Sequence, residues 1–202
     1  MPSPAGERVL FVGLTGGLGA GKSTALAAFA ELGAATFSTD AAVHELLGGD
    51  ELREQIVARL GPGVVSGGDI DRSALAAQVF SSPADRRWLE SVLWPRVGEQ
   101  VAAWREQVEA LEVPPPAAVV EVPLLFEAGM EEGFDKTVAV IAEEAVRAER
   151  AGARGHAAVD ERSGRQLTQE EKSQRADFTV RNDGTPEELK AELSQVLATI
   201  SS

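Results

Sequence analysis

The residues with the most chemical content in this sequence are Gly16-Gly17-Leu18-Gly19-Ala20-Gly21-Lys22-Ser23-Thr24. They fit the spacing of a glycine-rich loop that closes on Lys-Ser. Glycines let successive backbone N–H groups curl around a phosphate, and a helix N-terminus directly behind them adds its partial positive charge. Lys22 would then reach the β- and γ-oxygens of a nucleoside triphosphate, and Ser23 would offer a hydroxyl to Mg²⁺. Such a loop needs a second set of residues to receive or activate the phosphate. Asp40 follows the apolar run Ala35–Ser38, where a strand's carboxyl end would present a general base, although the same position suits a helix N-cap. Glu121 closes the run of residues 118–122, the place of an acid that orients a magnesium ion, and an acid in a buried strand demands a partner. Glu127, six residues later, reads as a helix-surface residue.

Arg147, Arg150 and Arg154 recur at helical spacings of three and four, and Arg162 and Arg165 follow. One reading is a mobile arginine flap over a triphosphate. The other is a solvated face neutralised by Glu143, Glu144 and Glu149. The guanine-reading Asn-Lys-x-Asp motif is lacking, which argues against a GTPase.

The elements that must position these groups follow from pattern. Residues 9–14 read as a buried strand breaking into the glycine loop, and 22–32 as a helix stopped at Gly33. Residues 35–38 suggest a second strand, and 41–47, 50–60 and 73–80 helices. Residues 83–93 and 96–111 suggest a helical hairpin broken at Trp94-Pro95, with Trp94 packed into its core or, alternatively, at a pocket rim where it could stack on an adenine, and the three prolines 114–116 end it. The β-branched runs 118–122 and 137–142 have the character of strands covered on both faces. Helices are expected over 143–154 and 159–166, and a last strand over 178–181. Thr185-Pro186-Glu187-Glu188 then supplies an N-cap, a first-turn proline and an N3 glutamate for a helix to about residue 200. Alternating strands and helices predict an α/β three-layer domain.

Composition narrows the classes further. The chain has 202 residues, no cysteine and two histidines, and a formal net charge of −13. Thiol catalysis, disulfides and cysteine-based metal sites are excluded, and nucleic acid is a disfavoured partner. No signal-peptide pattern or long apolar run occurs, so no membrane association and a cytoplasmic location are expected, as a monomer or weak homo-oligomer.

Several of these residues, taken in order, carry a resemblance. The loop 14–24, Asp40, Ile70-Asp71-Arg72 with Leu75 and Val79-Phe80, and Val122-Pro123-Leu124-Leu125-Phe126-Glu127 look like dephospho-CoA kinase. Arg150, Arg154, Arg162, Gln166, Lys172, Arg175-Ala176-Asp177, Asn182 and Gly184 continue the pattern, which runs from about residue 8 to residue 197. The resemblance implies a P-loop NTPase three-layer fold over 1–202, with a five-stranded parallel sheet, a helical CoA-binding insertion at 41–113 and a lid at 143–172. It also implies transfer of the ATP γ-phosphoryl to the ribose 3′-hydroxyl of dephospho-CoA, the last step of coenzyme A synthesis, with ATP and Mg²⁺.

By the same resemblance, Asp40, Lys22 and Arg150 would be catalytic. Gly16, Gly17, Gly19, Ala20, Gly21, Lys22, Ser23, Thr24, Arg154 and Asn182 would bind ATP. Asp40, Arg72 and Pro123 would bind the acceptor, and Ser23 and Glu121 would hold the metal. The chain departs from the family pattern at Ser38 and Glu121, each in place of an aspartate, at His44 in place of an arginine, at Trp94 in place of a histidine and at Arg147 in place of a glutamine. These departures keep a related nucleoside or nucleotide kinase, and a non-catalytic ATP- or CoA-binding module, as alternative readings.

Overall fold

A computed structural model describes residues 8–153 and 166–200. Five strands, β1 (Phe11–Gly16), β2 (Ala35–Ser38), β5 (Ala118–Glu121), β6 (Lys136–Ile141) and β7 (Phe178–Arg181), form one sheet in the order β2-β5-β1-β6-β7. Every pairing in it is parallel. The β-branched runs give this outcome because strands covered on both faces need apolar residues at successive positions. In β1, Val12 and Leu14 face a core completed by Ala25, Ala28 and Phe29 of α1 (Lys22–Glu31). Leu189, Leu193, Val196, Leu197 and Ile200 of α8 (Pro186–Ile200) complete the same core. The alternate β1 residues face the other way: Phe11 stacks on Phe134 with centroids 4.6 Å apart, and the Arg105 guanidinium lies 4.5 Å over the Phe11 ring.

The chain divides into two compact units, residues 1–38 with 104–202, and residues 39–103. The second unit contains α2 (Thr39–Leu47), α3 (Asp50–Leu60), α4 (Arg72–Ser81) and the first part of α5 (Pro83–Glu109) around Leu52, Ile56, Val64, Leu75, Leu89 and Leu93. It also holds a two-residue hairpin, β3 (Val65–Ser66) and β4 (Asp69–Ile70), turning on Gly67 and Gly68, both of positive φ. Strands this short leave no alternation to read, and the sequence pattern did not anticipate them. Asp71 caps α4 by accepting from the N–H groups of Ser73 and Ala74 at 2.9 and 3.1 Å.

The expected helical hairpin at 83–111 is instead one helix with Pro95 inside it. Proline removes one i→i−4 bond, but Leu89, Leu93 and Val97 continue a single buried stripe at fourfold spacing straight through that point. The Arg96 side chain also donates to the Val92 carbonyl at 2.9 Å, beside the gap. Trp94 points away from this stripe and is 52% exposed, not packed in a core.

Between β6 and β7 lie α6 (Glu144–Ala153) and α7 (Gln169–Arg175). The helix expected over 159–166 lies outside the described residues apart from Gln166, which is not helical. At α8 the capping box forms as the sequence requires: Glu188 N–H donates to Thr185 Oγ1 and Thr185 N–H to Glu188 Oε2.

Candidate active site

The buried strand β1 ends at Gly16, and α1 starts at Lys22, so the glycine loop occupies the turn between them. Gly21 is the helix N-cap with φ 91° and ψ 32°, a left-handed conformation that costs an L-residue about 1–2 kcal/mol. A side chain there would also strike the Asn182 amide. At Gly19 a Cβ would lie 2.5 Å from the Arg147 carbonyl, so this loop is glycine-rich both for its curvature and for what presses against it. Ser23 and Thr24 open α1 and are exposed.

Positive charge is gathered at this loop despite the acidity of the chain. Lys22 Nζ donates to the carbonyls of Gly16 and Gly17 at 3.1 and 3.2 Å. From α6, Arg147 donates through Nε to the Leu18 carbonyl at 2.9 Å, and Arg150 donates to the Asn182 carbonyl at 2.9 Å. The NH1 of Arg150 lies 3.6 Å from where a Gly21 Cβ would be. These two arginines are therefore turned to the loop and do not form a solvated face; Glu144 takes one Arg147 N–H at 2.6 Å. Arg154 lies outside the described residues, as do Arg162 and Arg165. Asn182, just beyond β7, is buried and its Nδ2 donates to the Ala20 carbonyl at 2.9 Å, behind the loop.

The carboxyl ends of the neighbouring strands supply the acids. Glu121 pairs in register with Leu14 on one side and Ser38 on the other, is 3% exposed, and accepts from Ser38 Oγ at 3.1 Å. The Ser38 hydroxyl thus gives the buried acid a hydrogen-bond donor. Asp40 sits two residues past β2 and is exposed. Because α2 begins at Thr39, Asp40 lies within the first helical turn and is not the N-cap. In the second unit, Arg72 opens α4 and its guanidinium meets His44 Nδ1.

The sequence reading of Glu127 as a helix-surface residue is overturned. It lies in a run of turns, is largely buried, and pairs with Lys172 Nζ at 2.9 Å. Lys172 has no exposed side-chain surface, and its Nζ also donates to the Pro123 carbonyl at 2.7 Å and Thr15 Oγ1 at 3.4 Å. Burial pushes the Lys172 pKa below its ordinary 10.5, with Glu127 opposing part of that fall. Its place in the pattern running from Arg150 to Gly184 and its rarity as one of four lysines were the available sequence signals. A cleft of about 640 Å³ opens beside Gly17, lined by Arg147, Thr168, Gln169, Ser173 and Arg181 among others. Gln169 fixes one wall by exchanging two 2.8 Å bonds with the Ala142 backbone.

Residues 10–188 match the dephospho-CoA kinase family model. The chain belongs to the dephospho-CoA kinase family. A dephospho-CoA kinase of Deinococcus radiodurans is 39% identical over 96% of this chain and 93% of its own length. One from Bradyrhizobium diazoefficiens is 36% identical over 94% of each. Among solved structures, a Thermus thermophilus protein superposes with a TM-score of 0.77 at 35% identity, covering 97% of this chain and 100% of that one. A dephospho-CoA kinase from Campylobacter jejuni gives 0.67 at 25% identity, covering 94% and 96%. A shikimate kinase from Acinetobacter baumannii, at 12% identity and a TM-score of 0.54, shares the fold. The chain is thus a kinase with the P-loop architecture. Among the described residues no helix is long and apolar enough to cross a membrane.

Proposed function

We propose that this chain uses ATP and Mg²⁺ to phosphorylate the ribose 3′-hydroxyl of dephospho-CoA, giving CoA and ADP, the final step of coenzyme A synthesis. The observation that carries this reading is a family match spanning residues 10–188 in a chain whose loop still bears Lys22 and gathers two arginines from α6. Gly16 to Thr24 hold the ATP phosphates through backbone N–H groups and the α1 N-terminus, while Asn182 keeps the loop's Ala20 carbonyl turned away from them. Lys22 bears charge on the β/γ-oxygens, and Arg150 supplies a guanidinium to the transferring phosphoryl. Asp40 accepts the proton of the attacking 3′-hydroxyl, which then displaces ADP in line. Pro123 and Arg72 contribute to the acceptor site.

Ser23 and Glu121 present oxygen donors, the ligand type a magnesium ion takes, so the residues suit the metal. Bound with ATP, Mg²⁺ would spread the negative charge of the β- and γ-phosphates. A coupled assay of ADP release with ATP, Mg²⁺ and dephospho-CoA tests the proposal directly. Turnover is expected, and Asp40→Asn should lose at least about 10²-fold in kcat, within the range for general bases, while ATP affinity stays near wild type. Turnover on a nucleoside with silence on dephospho-CoA would overturn the acceptor, and ATP binding without transfer to any acceptor would overturn the enzyme.

A further inference from the structure

A fully buried lysine is unusual because its ammonium must give up hydration, and Lys172 is 0% exposed. Its three acceptors come from two segments of the chain, β1 and the turn after β5. Thr15 is the residue of β1 immediately before the glycine loop. Pro123 follows the buried acid Glu121 by two residues, and its carbonyl also accepts from Thr15 Oγ1 at 3.3 Å. Glu127 lies in the same run of turns, and its Oε1 takes a second bond, from the Leu167 N–H at 2.8 Å, just ahead of α7.

One ammonium thus joins the root of the phosphate loop, the turn that carries Glu121 onward, and the chain that enters α7. We infer that Lys172 is a positioning residue for phosphoryl transfer: it fixes the 121–127 turn against the root of the phosphate loop, with Glu127 as the counter-charge that lets it be buried. This rests on the kinase reading above. The geometry requires a donor and not merely a space-filling chain at Nζ, because the Pro123 carbonyl and Thr15 Oγ1 are turned toward it over the sheet face opposite the Val12 and Leu14 core.

The two roles of such a residue, stability and positioning, separate in a charge-balanced variant. Lys172→Met alone strands a buried carboxylate and should melt at a lower temperature. The double variant with Lys172→Met and Glu127→Gln removes both charges and should recover most of that loss, because neutralising a buried pair is far cheaper than breaking it. If Lys172 positions the turn, kcat of the double variant stays at least about 30-fold below wild type, read as ADP release below its melting temperature, while ATP affinity stays within about threefold. Recovery of kcat together with the melting temperature would overturn the inference.

Lys172→Arg, which keeps charge and donors, is the second arm should the double variant not fold. A kcat at least about tenfold above that of Lys172→Met supports positioning, and equality of the two overturns it. Absence of dephospho-CoA turnover in the wild-type chain would count against the proposed function, whereas these ratios address Lys172 alone.

Discussion

Replacing Asn182 with alanine separates a brace from a ligand contact. The residue is 4% exposed and, among the described residues, its side chain makes one bond, from Nδ2 to the Ala20 carbonyl at 2.9 Å; its backbone donates to Ile141 and accepts from Arg150 and survives the substitution. Alanine therefore leaves one buried carbonyl without its donor and opens a small void beside Gly21. A buried polar group stripped of its partner costs about 1–3 kcal/mol. In a domain of this size about 2 kcal/mol corresponds to a fall in melting temperature of about 4–8 °C. The assay is thermal unfolding by circular dichroism without nucleotide, paired with calorimetric titration of ADP. The nucleotide-free protein should already be destabilised, and ADP affinity should fall because the loop amides lose their fixed orientation. A melting temperature within about 1 °C of wild type would refute the bracing argument. If affinity alone then dropped, the amide would have to be assigned to the nucleotide itself.

Two further outcomes follow from the same geometry. Lys22→Met removes the ammonium that the Gly16 and Gly17 carbonyls hold at the loop and should lower kcat by about 10²-fold or more, measured as ADP release at saturating ATP; retention within about threefold would remove Lys22 from charge stabilisation. Asp177 sits below its ordinary pKa of 3.8: burial works against this, but the N–H and hydroxyl of Thr137 and the charge of Lys136 outweigh it. A carboxyl with a lowered folded-state pKa stabilises the fold above its unfolded value, and that stabilisation is lost as pH falls from 3.8 toward the folded value. Asp177→Asn should therefore flatten the acid limb of melting temperature against pH in that window, and an unchanged limb would contradict the assignment.

Much of this protein was legible in one dimension because its signals are local. A strand, a glycine loop and a helix with Lys22 at its start are contiguous, so their chemistry could be read from spacing, and Thr185 with Glu188 specified their helix start by bonds three residues apart. The β-branched runs likewise announced a parallel sheet, since strands covered on both faces lose their polar alternation. Pro95 misled because a local helix breaker was outweighed by the stripe of Leu89, Leu93 and Val97, whose value depends on what it is buried against. Glu127 and Lys172 stand 45 positions apart and neither has a local partner that would mark it; the pairing exists only because the turn after β5 and the helix α7 meet on one face of the sheet. The direction of Arg147 and Arg150 was equally undecidable from periodicity, which fixes that they share a helix face but not what that face meets. The sequence by itself determined the phosphate-binding chemistry and the order of elements, because both rest on contacts between near neighbours. Tertiary structure alone decided which charged groups are buried and paired, because desolvation depends on what long-range packing brings around them.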